Sequence, residues 1–309
     1  MFQDAGNLES SKNSKEEMIL ITGAAGKTGR AVIKALLVDR DHQPEPIRVW
    51  VRRPEQVQPM RELGVSEVVV GDLRSQSLLK QAFQGIRIVY HIPPNVHPDE
   101  LSIAQFMLKT ASEAGIERFV YHSVLHPQIE AMPHHWQKMR VEELIFSSGI
   151  DFTILQPEVY MQNILSQWGA IVTQGLYSVP YATQTRLGMV DLDDVGMAAA
   201  AVLNNSGHDS AIYELAGPDI LSQDEIAVIL SRLLGINIRA QYLQREVWEE
   251  RARNAGMDDY QLSTLLRMFE YYERHGFYGN PNVLMQLLNR APHSFESFID
   301  RIRGEDRLG

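Results

Sequence analysis

The stretch "ILITGAAGKTGR", Ile19 to Arg30, decides the fold, because it holds two phosphate-binding signatures that exclude one another. Gly26, Lys27 and Thr28 are the tail of a P-loop, whereas Gly23, Ala24, Ala25, Gly26, Lys27, Thr28 and Gly29 spell a dinucleotide-binding turn. A P-loop needs a glycine separated by four residues from its Gly-Lys pair, since the backbone must wrap a whole phosphate before the lysine reaches it. That position is Ile21, so the P-loop reading fails on spacing. The GxxGxxG reading holds in context. It follows a short apolar run, Met18 to Thr22, and opens "TGRAVIKALLVD", where Val32, Leu36 and Leu37 recur at helical spacing. A helix N-terminus placed there can receive a pyrophosphate. Gly23 makes the turn, Gly26 admits the phosphate and Gly29 lets helix and strand pack closely, with Ala25, Lys27 and Thr28 between them.

Outward from this unit, strands alternate with helices. "IRVWVRRPE", "SEVVVGDL", "IRIVYHIPP" and "ERFVYHSV" carry β-branched apolar runs, Leu101 to Ala114 has helical periodicity, and Gly115 is placed to end that helix. "KMRVEELIFSSG" and "DFTILQPEVYMQNIL" add a helix and a further strand, and an alanine-rich helix capped by Asp193 precedes the strand "AIYELAG". Crossovers long enough for helices predict an α/β fold, a doubly wound parallel sheet with ligands at the carboxyl ends of its strands. The expected organisation is a flexible tail over residues 1–17 and a dinucleotide-binding domain over residues 18–221, with lobe segments inserted near 157–190. A smaller, mainly helical substrate lobe follows over residues 222–309, where strand signals are few.

Composition narrows the function. The chain has 309 residues, 44% of them apolar, enough for a sizeable core. Its 29 basic and 39 acidic residues give a net charge of -10, which repels a nucleic-acid backbone and excludes direct nucleic-acid binding as an expectation. The absence of cysteine rules out disulfides and a thiolate nucleophile and suits a reducing, cytoplasmic setting. No apolar run is long enough to span a membrane, and the polar opening lacks a signal-peptide core.

The end of the second strand selects the coenzyme. NAD sites carry an acidic residue there, while an arginine accommodates the 2′-phosphate of NADP. Here the strand runs into Arg52 and Arg53, so NADP(H) is expected. Asp72, followed by Leu73, stands either beside the adenine or at the cap of a helix beginning near Ser75. His91, Ile92 and Pro93, at the end of the fourth strand, should pass near the nicotinamide. His122, His126, His134 and His135 form a local histidine cluster, but their spacing matches no metal site and none is expected.

"TGAAGKTG", "VRRP", "VVVGDL", "HIPP", "SGIDFTILQPEVYMQNIL" and "GPDILSQDEIAVILSRLLG" together make the chain resemble the NmrA-like family of atypical short-chain dehydrogenase/reductases, relatives of quinone-type and isoflavone-type reductases. The resemblance runs from Met18 to "PHSFESFIDRI" and implies NADPH binding. It also places Pro157, Tyr160 and Asn163 beside nicotinamide and substrate, and Ser123 in the region of an active-site serine. The larger superfamily uses a tyrosine four residues before a lysine. If Lys138 is that lysine, His134 holds the tyrosine position and the usual acid is missing. Lys138 would then hold the nicotinamide ribose or assist proton transfer, with His134 or His135 as a proton source. The expected activity is an NADPH-dependent oxidoreductase passing hydride to a small apolar acceptor such as a quinone or conjugated carbonyl. The alternative is a non-catalytic NADP(H)-binding sensor acting through a protein partner. A homo-oligomer is compatible with either.

Overall fold

The computed structural model describes residues 18–38 and 45–305. The tail expected over residues 1–17 and most of the loop "DHQPEP" lie outside them. The strands β1 (Met18–Ile21), β2 (Ile47–Val51), β3 (Glu67–Val70), β4 (Ile86–His91), β5 (Arg118–His122) and β6 (Phe152–Pro157) are joined by helices α1 (Lys27–Val38), α2 (Val57–Glu62), α3 (Gln76–Ala82), α4 (Glu100–Ala114) and α5 (Pro133–Phe146). After them come α6 (Trp168–Gln174), β7 (Leu176–Val179), β8 (Arg186–Met189), α7 (Leu192–Asn204), β9 (Ala211–Leu215) and β10 (Asp219–Ser222). The chain closes with α8 (Gln223–Leu234), β11 (Arg239–Tyr242), α9 (Arg245–Asn254), α10 (Asp259–His275), α11 (Asn282–Leu288) and α12 (Phe295–Glu305).

Seven strands form one sheet in the order β3-β2-β1-β4-β5-β6-β9, and every pairing in it is parallel. The doubly wound expectation is met. Alternating residues of each strand feed opposite faces. Ile19 and Ile21 pack with α1 and α7, whereas Leu20, Val89 and Tyr121 pack with α3, α4 and α5. Burial of both faces explains why these strands read as unbroken apolar runs and not as alternating ones.

A second apolar cluster joins α6, β7, β8, α8, α10 and α12, with Tyr177, Tyr272, Phe277 and Phe298 at its centre. Two small two-stranded ribbons brace it, β8 with β10 antiparallel and β7 with β11 parallel. β11 lies in a region where the sequence shows few strand signals, because a four-residue strand, mostly polar, leaves no hydrophobic pattern. Within the same region α11 turns back, and Leu284 packs in the cluster that covers the sheet beside α7.

α7 begins two residues earlier than its sequence suggests. Asp191, not Asp193, is the N-cap, and its carboxylate accepts the amide of Asp193 at 3.1 Å. Asp194, fully buried, binds Arg290 and the backbone and ring of His293, tying α7 to the segment before α12. The α1–α7 crossing is close because Gly196 has no side chain: a Cβ there would lie 2.7 Å from the carbonyl oxygen of Ala31. Gly196→Ala should therefore cost about 1–3 kcal/mol through overpacking, read by denaturant unfolding. Unchanged stability would show that the two helices can separate freely.

Candidate active site

The strand order reverses between β1 and β4, because α1 leaves one face of the sheet and α4 the other, and a crevice opens between the loops that follow them. A cavity of about 1240 Å³ occupies this crevice and continues beneath α9 and α10. Typical ligand sites measure about 300–1,000 Å³, so there is room for a coenzyme and a second molecule.

One end of the cavity is built by the glycine turn. Gly23 adopts φ +63°, and a Cβ there would sit 2.8 Å from the carbonyl oxygen of Ile92. Gly23, Ala25, Gly26, Lys27 and Thr28 all line the cavity, and the first turn of α1 carries no acidic residue to oppose an anion. The fit to a dinucleotide phosphate is therefore good. Gly29 lines nothing. Its Cβ would lie 2.5 Å from Ala24 Cα, so its part is to let α1 close against the turn, as its spacing suggests, and not to touch a ligand.

Another end of the cavity lies beyond β2 and β3. Arg52, Asp72 and Leu73 line the cavity there, joined by Trp50, Gln56 and Arg74, which the sequence did not single out. Gln56 shapes the turn by accepting the amides of Arg52 and Arg53 at 3.0 and 2.9 Å. The Arg52 guanidinium makes no hydrogen bond or ion pair among the described residues, and its charge acts on the nearby Asp72 carboxylate. Arg53 does not reach the cavity, since it points outward and pairs with Glu55 at 2.9 Å. Asp72 accepts the amide and guanidinium of Arg74, and those bonds hold its carboxyl down to about 2.

Deeper in, Ile92, Pro93, Ser123, His134, Lys138, Pro157, Tyr160 and Asn163 line the wall. His91 does not. It is fully buried, with Nδ1 on the Thr22 hydroxyl at 2.9 Å, and it fastens the end of β4 to the end of β1 behind the wall.

Lys138 is only 14% exposed, and its ammonium donates to Glu100 Oε1 at 2.8 Å. The same oxygen accepts the Tyr121 hydroxyl at 2.7 Å. Glu100 is itself buried, so the pair survives only through these bonds. A second buried carboxylate, Glu142, accepts the Ser123 hydroxyl and the Gln156 amide, and burial raises its pKa. His122 completes the set: its ring bridges the hydroxyls of Tyr90 and Tyr160, each at 2.7 Å, and Tyr160 accepts the Thr28 hydroxyl at 3.4 Å. The turn is thus connected to three strand ends. Burial lowers the His122 pKa to about 3 and holds His134 well below its usual range, with the Lys138 charge contributing. Both imidazoles are neutral at physiological pH. Nδ1 of His134 is buried without a protein partner.

Glu158 lines the far side of the same cavity, and its carboxylate accepts the amides of Gly217 at 3.0 Å and Gly279 at 2.8 Å. Burial outweighs those bonds and lifts its pKa to about 7. A raised folded pKa means that the stabilising contribution is complete below the ordinary value near 4.5 and is lost as pH rises through about 7. Unfolding free energy should thus lose up to about 3 kcal/mol between about pH 4.5 and 7.5 from this group, and Glu158→Gln should flatten that slope. Parallel pH profiles for the two proteins would remove Glu158 as the cause.

Comparison with known proteins accords with this geometry. A (4-alkanoyl-5-oxo-2,5-dihydrofuran-3-yl)methyl phosphate reductase of Streptomyces griseus is 31% identical over 247 residues, 79% of this chain and 82% of that protein. An NAD(P)H azoreductase of Xenophilus azovorans is 25% identical over 91% of this chain and 96% of its own. The Escherichia coli NADPH-dependent quinone oxidoreductase, solved with NADPH, superposes with a TM-score of 0.80 at 23% identity, covering 92% of this chain and 99% of that one. The model of the NmrA-like family matches residues 15–305, and the chain belongs to that family.

Proposed function

We infer that this protein is an NADPH-dependent oxidoreductase acting on a small apolar acceptor, a quinone or another conjugated carbonyl compound. The observation that carries this reading is the Arg52 guanidinium, on the wall of a cavity opened by the glycine turn and engaged there by no hydrogen bond or ion pair among the described residues. The reductase and azoreductase activities named for its relatives agree with it.

NADPH, when bound, supplies the hydride. The turn amides and Lys27 hold its pyrophosphate, Arg52 its 2′-phosphate, and Asp72 and Leu73 flank the adenine. Ile92, Pro93, Pro157, Tyr160 and Asn163 border the nicotinamide half. Lys138, held in place by Glu100, is the cation nearest the reacting region and serves the ribose or the proton transfer that follows reduction. Ser123, oriented by Glu142, donates toward the acceptor oxygen. His134 is a neutral hydrogen-bonding group there and not an imidazolium. A conjugated acceptor spreads the incoming negative charge, so a lysine without the superfamily's tyrosine suffices.

Residues 18–221 form the coenzyme domain and residues 222–309 the acceptor lobe in this reading. Among the described residues no helix is long and apolar enough to cross a membrane. A cytoplasmic protein acting alone or as a homo-oligomer is the matching cellular picture.

Arg52→Glu should weaken NADPH about 100-fold and NADH only a few-fold, since it sets a like charge against the extra phosphate. Arg53→Glu should do far less, because that side chain faces away. Equal losses of NADPH and NADH in Arg52→Glu would refute the coenzyme assignment. Lys138→Ala should lower kcat with a quinone by about 100-fold while NADPH still binds. NADPH binding with no consumption across a quinone panel would replace the enzyme by a nucleotide sensor.

A further inference from the structure

The charge of the cavity runs against that of the protein. The chain is acidic overall, at -10, yet five basic residues line the cavity (Lys27, Arg52, Arg74, Lys138 and Arg251) and only two carboxylates, Asp72 and Glu158. Four of the five cations have a task. Lys27 and Arg52 face the nucleotide phosphates, Arg74 is bound by Asp72, and Lys138 is bound by Glu100. Arg251 is left over, at the opposite end from the nucleotide.

Its place on α9 isolates it further. Arg245 is tied to Glu273 and Arg253 to Glu249 and Asp259, so the other two arginines of α9 named here are neutralised by carboxylates. Arg251 has Val247 and Trp248 one turn before it and Asn254 and Ala255 one turn after, so its own helix offers no carboxylate at pairing distance. Its guanidinium has no hydrogen-bond or ion-pair partner among the described residues. Trp248, three positions earlier and hence on the same face of the helix, also lines the cavity and packs edge-on against Phe269 with ring centroids 4.8 Å apart. The surrounding wall is apolar: Leu265, Met268, Phe269, Tyr272 and Phe277 all face the same space.

We propose that the acceptor is an amphiphile, an apolar ring system carrying an anionic group such as a carboxylate, sulfonate or phosphate, with the anion held by Arg251 and the rings by the aromatic wall. This rests on the oxidoreductase reading for the word acceptor, but the ligand class stands on the cavity alone. An exposed guanidinium on the cavity wall can take an anion at little cost in desolvation, because solvent still reaches it, while the rings bury their surface against Trp248 and Phe269. Arg251 is thus a specificity-determining residue, remote from the reacting atoms.

The test is calorimetric titration of the protein saturated with NADP⁺, using naphthalene-2-sulfonate and its neutral counterpart naphthalene-2-sulfonamide. The expected result is about a tenfold preference for the sulfonate. Arg251→Gln should lose that preference while keeping its affinity for the sulfonamide and for NADP⁺, which also shows that the variant is folded. Equal affinity of the wild type for both probes, no binding of either, or a preference that persists in the variant overturns the proposal. NADPH consumption with 1,4-naphthoquinone is measured separately. Sulfonate preference without consumption removes the oxidoreductase reading and leaves the ligand class standing, and consumption without preference does the reverse.

Discussion

The fold turns on one close approach. Where β1 ends, the backbone of Gly23 comes so near the end of β4 that no side chain fits between it and Ile92. That contact holds the two central strands in register just where the order of the sheet reverses, while the helices that follow leave on opposite faces. The crevice is the geometric result, and the N-terminus of α1 opens on it with its unpaired amides. Each other part of the site is placed relative to this point: Arg52 one strand outward, His122 and Lys138 one strand and one helix inward.

The inner half of the site is kept in shape by buried polar groups that satisfy one another. Removing a charge from water is costly unless bonds replace its hydration, and the replacements here are specific. Glu100 takes Lys138 and Tyr121, Glu142 takes Ser123 and Gln156, and Glu158 takes two backbone amides. A ladder from Tyr90 through His122 and Tyr160 reaches Thr28 in the turn itself. In place of a single tyrosine acid, the chain presents a lysine fixed against a buried carboxylate and a set of neutral imidazoles around it.

Much of this was legible in the sequence because it depends on local pattern. The glycine spacing, the apolar strand runs and the arginine after β2 are each written within a dozen residues, and the coenzyme end of the cavity follows from them. What was not legible depends on pairing across the fold. Glu100 looks like any first-turn glutamate of α4 until β5 and α5 bring Tyr121 and Lys138 to it. The sequence sets His122 among neighbouring histidines, although its partners are tyrosines 32 and 38 residues away. His91, expected beside the nicotinamide from its place at a strand end, is instead buried and captured by Thr22. Arg53 and Arg52 cannot be told apart by position in the sequence, and only the folded turn shows Arg52 on the cavity wall and Arg53 paired outside with Glu55. The capping shift to Asp191 has the same origin, since three acidic residues close together look like equal caps until the fold gives each its own partners, Gln162 and Arg301 for Asp191, Arg301 for Asp193, and Arg290 and His293 for Asp194.

The central claim is that a guanidinium beyond β2 receives a phosphate on the adenosine ribose. The most direct measurement omits the nicotinamide altogether: calorimetric titration of the wild-type protein with 2′,5′-ADP and with 5′-AMP, which differ only in that phosphate. The account predicts that 2′,5′-ADP binds at least about tenfold more tightly at moderate salt, with the advantage shrinking as ionic strength rises. Equal affinity for the two nucleotides, or an advantage indifferent to salt, would contradict it.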